Sequence, residues 1–150
     1  MGGIWNGRAD GQPFRMVGKG FVKILDACFL IHLHREWERG QAGGATRFLE
    51  RQAGEEFCVS VITALEFLEG FQKAADGERF LAPFPQLTVT TEVSRIGSRI
   101  RRSLRQRGEM IGDFDVLIAA TALGAGHSLV TDNARHFSRV EGLVVEAYRE

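Results

Sequence analysis

The chain has little cysteine, only Cys28 and Cys58 in 150 residues, and the two form no C-x-x-C pair. Two separated thiols make neither a disulfide scaffold nor a zinc cage, and no secretory signal precedes them, so a reducing, cytoplasmic setting is expected. Long apolar runs are missing as well. The longest, residues 116 to 126, falls well below the ~20 residues of a membrane-spanning helix, which predicts no membrane partner. Lysine is confined to Lys19, Lys23 and Lys73, so arginine carries nearly all of the positive charge. Neither sign dominates, since Lys plus Arg and Asp plus Glu stand at 19 each, and any polyanion site must come from local clustering. No G-x-S-x-G elbow is present, and Gly18-Lys19-Gly20 comes before an apolar run rather than after it. A serine hydrolase and a phosphate-cradling nucleotide loop are thereby excluded.

What is present is enough for one domain. At 150 residues and 44% hydrophobic content, the chain can bury roughly two thirds of its unfolded surface. Residues 1 to 20 carry six glycines and no periodicity, which predicts a disordered extension before a domain over residues 21 to 150. Met16 leaves open whether residues 1 to 15 are native.

Beyond it, strands and helices alternate. Phe21 to Leu25 reads as a short buried strand, and Phe29 to Trp37 continues at helical spacing. A helix is predicted over Ala45 to Gln52, ended by Gly54, and a strand over Phe57 to Ser60. Thr63 is expected to open a helix whose Leu65, Leu68 and Phe71 face the core. Pro83 and Pro85 break the chain, Leu87 to Thr90 reads as a strand, and Glu92 to Arg107 as a polar helix stopped by Gly108. Asp113 to Leu123 is the most helical apolar segment. Strands follow over Ser128 to Thr131 and Leu143 to Glu146, with a short helix near His136. This alternation implies an α/β sandwich around a mainly parallel sheet, in which ligands bind beyond the carboxyl ends of strands.

Four carboxylates stand beside or inside segments that should be buried: Asp26, Glu66, Asp115 and Asp132. An isolated carboxylate leaving water loses on the order of several kcal/mol, and like charges raise one another's pKa, so a hard divalent cation would resolve both costs. Each acid also has a local explanation. Asp26 is placed to cap the helix after it, and Glu66 stands at capping-box spacing from Thr63. Asp115 lies in a first helical turn with Asp113 as the natural N-cap, and Asp132 can start a turn. Only a fold that gathers them would favour chemistry. His32 and His34, two apart on one helix, are expected to point differently and so not to chelate one ion. His127 and His136 are assigned no role.

Four ordered segments carry a resemblance. They are Lys23-Ile24-Leu25-Asp26-Ala27-Cys28-Phe29-Leu30-Ile31, Val61-Ile62-Thr63-Ala64-Leu65-Glu66, Ile111-Gly112-Asp113-Phe114-Asp115-Val116-Leu117-Ile118-Ala119-Ala120 and Leu129-Val130-Thr131-Asp132-Asn133. Together they resemble the motifs of PIN-domain ribonucleases, most closely the VapC-type toxins of toxin-antitoxin pairs, from about Phe21 onward. The resemblance implies a PIN-like three-layer α/β/α sandwich with a mainly parallel central sheet. It also implies a metal-dependent endoribonuclease in which Asp26, Glu66 and Asp115 match the metal-site acids and Asp132 the more variable fourth. Asp113 is an extra acid, and Thr131 and Asn133 can support by hydrogen bonding. Cys28 departs from the asparagine or serine common beside the first acid; a thiol is the poorer hydrogen-bond partner.

All-carboxylate ligands suit Mg2+ or Mn2+ rather than zinc. The expected reaction is in-line attack of water on an RNA phosphate, with the cation neutralising developing charge. Six arginines between Arg95 and Arg107, with Arg99, Arg102 and Arg105 as candidate RNA contacts, form the one strong basic concentration. They serve equally as a solvated face or as a dock for an acidic partner. A cognate antitoxin and a homodimer follow from the resemblance alone. The alternative is a PIN-like module that binds RNA or protein without cleaving. A phosphatase with a D-x-D nucleophile at Asp113-Phe114-Asp115 is set aside, because no apolar strand precedes that motif and no lysine follows Lys73.

Overall fold

Strand β1 (Val22–Leu25) lies at the centre of a sheet whose side chains alternate strictly between two cores. The computed structural model describes residues 22–149, so Phe21 and the expected N-terminal extension lie outside the described residues. Successive side chains of a strand point to opposite faces. Accordingly Leu25 joins one apolar cluster with Phe57, Val59 and Val130, while Ile24 joins the other with Cys58 and Leu129. A sheet buried on both faces is the setting in which near-continuous apolar strands are stable.

The chain runs from β1 through α1 (Ala27–Arg39), α2 (Gly44–Arg51) and β2 (Glu56–Ser60) to α3 (Val61–Leu68) and α4 (Ala74–Leu81). It continues through β3 (Gln86–Leu87), α5 (Thr91–Arg107), α6 (Asp113–Ala125), β4 (Ser128–Val130), α7 (Ala134–Phe137) and β5 (Val145–Glu146). The strands lie in the order β3-β2-β1-β4-β5, and every pairing is parallel. Residues of α1, α2, α3 and α4 pack in one cluster, and those of α5, α6 and α7 in the other. This is the expected three-layer sandwich, with the sheet wholly rather than mainly parallel.

Several local expectations change. Helix α3 starts at Val61, because Ser60 at the end of β2 already caps it, its Oγ accepting from Thr63 N at 2.9 Å. Thr63 therefore sits inside the helix and is buried, and the Thr63 to Glu66 capping box does not exist. Leu65 does not face the core; it is 44% exposed, and Ala64 and Phe67 are buried instead. Gly112, not Asp113, is the N-cap of α6. The strand expected to reach Thr90 stops at Leu87, since the Thr90 hydroxyl caps α5 through Val93 N at 3.1 Å. The last strand is likewise shorter than expected, with Val144 left 63% exposed just before it.

Helix α4 gave no sequence signal, because a glycine stands in its middle. Gly77 is buried there by need of space: a Cβ would lie 2.7 Å from Leu68 Cδ2 and 2.9 Å from Phe71 Cδ2. Helix α6 ends as expected at Gly126, whose φ of 71° favours a residue without a Cβ.

Candidate active site

In an all-parallel sheet, the carboxyl ends of the strands share one edge, and the helices that leave them open toward it. β1 ends in Asp26, β2 leads through Ser60 into α3 with Glu66, and β4 ends at Thr131 and Asp132. Helix α6 brings Asp115 to the same edge by its N-terminal turn.

Asp26 is 6% exposed and tightly held. Its Oδ1 accepts from Ala27 N at 2.8 Å, so the cap reading is correct. Its Oδ2 accepts from the Thr131 hydroxyl at 2.7 Å and from the Cys28 thiol at 3.5 Å. Thr131 in turn accepts from Asn133 N at 3.0 Å. A carboxylate offers about four acceptor positions, so these contacts fix Asp26 and still leave capacity for a ligand. Capping and catalysis are compatible roles for one side chain.

Asp26, Glu66 and Asp115 act on one another. Glu66 has its pKa pushed up to about 7, first by burial and then by the charges of Asp26, Asp115 and Glu69. Asp115 is also raised, by burial and then by Asp26, with His136 opposing the rise. The His136 ring stands 4.0 Å from Asp115 Oδ2 and 2.9 Å from the Asn133 amide nitrogen. Among the described residues, no Lys or Arg forms an ion pair with any of the three acids.

Asp132 and Asp113, unlike the trio, each meet an arginine. The exposed Asp132 carboxylate pairs with Arg149 at 3.3 Å, while its backbone N–H donates to Cys28 Sγ at 3.3 Å. Asp113 is 76% exposed at its side chain and faces Arg101 at 3.5 Å. Arg99, Arg102 and Arg105 are exposed on α5. The histidines of α1 do point differently: His32 meets Tyr148 and Arg149, whereas His34 packs among Phe67, Phe71 and Phe80.

Sequence reasoning missed His136 and Arg149. His136 lay four residues beyond Asp132, a spacing that could have flagged it. Arg149 had no local signal.

The donor set suits a hard divalent cation. Three carboxylates, two with raised pKa and none paired with a Lys or Arg among the described residues, are short of positive charge, with only the His136 ring 4.0 Å from Asp115. Among the described residues, no three His, Cys, Asp or Glu side chains already stand as a finished cage. Mutual repulsion keeps uncompensated carboxylates apart, and a cation would draw them together.

Comparison with known proteins places the fold in a family. The PIN domain family model matches residues 23–143. Ribonuclease VapC19 of Mycobacterium tuberculosis is 34% identical over 120 residues, which cover 77% of this chain and 92% of that protein. The tRNA(fMet)-specific endonuclease VapC of Salmonella typhimurium is 31% identical over 96 residues, covering 59% of this chain and 73% of that protein. Among solved structures, VapBC2 from Rickettsia felis, bound to a DNA fragment from its promoter, has a TM-score of 0.73 at 22% identity. It covers 85% of this chain and 98% of its own. The DNA-bound VapBC from Salmonella typhimurium gives a TM-score of 0.65 at 28% identity, with the same coverage of 85% and 98%.

Proposed function

Because the chain belongs to the PIN-domain family, we propose that it is the toxin of a toxin-antitoxin pair, an endoribonuclease that hydrolyses RNA phosphodiester bonds with Mg2+ or Mn2+. The observation that carries this reading is the trio of Asp26, Glu66 and Asp115, delivered by separate elements to one edge and coupled through charge with no Lys or Arg partner among the described residues. A scaffold protein has no use for that arrangement, which costs stability. The PIN domain spans residues 21 to 150, and the protein works in the cytoplasm; among the described residues no helix is long and apolar enough to cross a membrane. Its partners are RNA, a cognate antitoxin of the kind present in VapBC complexes, and a second copy of itself.

Asp26, Glu66 and Asp115 would hold the cation. When bound, it would neutralise charge on the phosphate and acidify a water. Thr131, itself oriented by Asn133, and Cys28 fix the Asp26 carboxylate, so little reorganisation remains at the moment of reaction. Glu66, whose carboxyl is raised by burial and by its acidic neighbours while no cation is bound, would hold the cation or orient an attacking water. His136 beside Asp115 offsets part of the acidic repulsion toward a phosphate when protonated. Phe114, 42% exposed next to Asp115, presents an aromatic face on which an unpaired base can stack.

The test is cleavage of a mixed RNA pool with and without Mg2+ or Mn2+, alongside Asp26→Asn and Asp115→Asn. Metal-dependent cuts that fall by at least about 100-fold in both variants are expected. Cleavage that persists in folded variants, or that ignores the metal, would overturn the assignment.

A further inference from the structure

Along α1 lies a cleft of about 350 Å³, bordered by that helix, the start of α2 and Arg149. His32, Arg35 and Arg39 line it from α1, at spacings that share one helix face. Among the described residues lining it, the one acid is Glu36, whose charge is already committed. The Glu36 carboxylate accepts from Gly43 N at 2.7 Å, Thr46 N at 2.9 Å and Ala45 N at 3.1 Å. Among the described residues, neither Arg35 nor Arg39 takes part in an ion pair. Two arginines at i and i+4 repel each other and weaken their own helix, a cost that an anion would remove.

The cleft is continuous with the catalytic edge. Asp26 Oδ2 meets Cys28 Sγ at 3.5 Å, Cys28 Sγ meets Asp132 N at 3.3 Å, and Asp132 Oδ2 meets Arg149 Nη2 at 3.3 Å. Arg149 also contacts His32, and all of these Arg149 contacts run through Nη2, with the side chain still 47% exposed. Asp132 thus holds a guanidinium at the mouth of the cleft, between the trio and the two arginines of α1.

Resting on the ribonuclease reading above, we infer that this cleft is a phosphate-binding subsite, in which Arg149 grips the RNA backbone on the side of the acidic edge and Arg35 and Arg39 grip it farther along α1, and that Asp132 is a positioning residue for Arg149. Guanidinium forks match phosphate oxygens bidentately, and three at one opening suit a strand with a phosphate at every nucleotide. On α5, Arg101 is drawn to Asp113 and Arg107 to Glu109 and the Arg139 carbonyl, whereas Arg99, Arg102 and Arg105 form no ion pair among the described residues and are the rival set that the experiment must separate.

The experiment measures binding of a fluorescent single-stranded RNA to the full chain carrying Asp26→Asn, so that cleavage does not intervene, across a salt series. Adding Arg35→Gln and Arg39→Gln is expected to weaken binding about tenfold and to lower the log-log salt slope by about 1, at about 0.7 per single-strand phosphate contact. Arg35→Lys with Arg39→Lys should keep most of the slope. Asp132→Asn should weaken binding about threefold by freeing Arg149. Glutamine variants that bind with the parent affinity and slope, loss only when Arg99, Arg102 and Arg105 are changed, loss of antitoxin but not RNA binding, or a parent that binds no RNA would each overturn the subsite. Metal-dependent cleavage by the unaltered chain is scored separately, so the nuclease reading stands or falls without this result.

Discussion

The central sheet carries two sets of partly buried charges, and they are built on opposite plans. In the first, Lys23 on β1 meets Glu146 on β5 at 2.8 Å, with Gln52 Oε1 at 3.0 Å from its ammonium and the Ser128 hydroxyl at 3.0 Å from the other Glu146 oxygen. Each charge has an opposite charge and a hydrogen bond. In the second, just past the end of the same strand, Asp26 stands with Glu66 and Asp115, carboxylates with no Lys or Arg partner among the described residues and only the His136 ring 4.0 Å from Asp115. The first set is complete and needs nothing more; the second is complete only with a cation. A buried polar group speaks for structure when its neighbours neutralise it and for chemistry when they do not.

Asymmetric substitution sharpens the contrast most. Asp26→Asn, which should abolish cleavage, is expected to leave the melting temperature unchanged or raised, because Asn can keep the Ala27 cap while one repelling charge goes; a cooperative loss of fold would contradict this. Lys23→Met should do the reverse, lowering stability by about 2 kcal/mol, or about 5 °C, by leaving Glu146 without its cation. This is less than for a deep pair, because the Glu146 side chain is 31% exposed. Residual activity of the Lys23→Met protein at low temperature should remain near normal.

Acidity separates the two sets further. Glu66 binds its proton more tightly in the folded chain, at about 7, than at its ordinary value of 4.5. Its contribution to stability is therefore fully present below about pH 4.5 and is lost as the pH rises through about 7. Denaturant midpoints of the metal-free protein should fall over that window, less so in Glu66→Gln, and added Mn2+ should recover them at pH 8. Equal profiles with and without Glu66 would remove the coupling. The smallest effect is expected at Cys28: Cys28→Ser should keep cleavage within about threefold, since a hydroxyl can make the same bonds to Asp26 and Asp132 N. A complete loss would mean that the thiol does more than hold its neighbours.

Part of the second set was legible because Ile24-Leu25 before Asp26 announces a strand end, as Leu129-Val130 does before its hydrogen-bond donor Thr131, and Asp115 stands where an apolar helix begins. Thr63 misled because its spacing to Glu66 satisfies a local rule that Ser60, at the end of its own strand, had already met. Helix α4 hid behind Gly77, whose small size is set by contacts with Leu68 and Phe71. The Arg149 contact with Asp132 has no local periodicity to betray it; only the folded sheet brings the two together. Local chemistry could be read from the sequence, and the partners across the fold could not.

The hydrogen bond from Thr131 to Asp26 joins positions 105 residues apart. During synthesis Asp26 emerges early and Thr131 late, and the bond between them forms only when β4 lies beside β1. A ribonuclease built on this bond thus carries a built-in delay. The growing chain has no assembled centre while the ribosome is still making it, and a cut anywhere between the two residues threatens the pairing of β1 with β4 on which the centre depends.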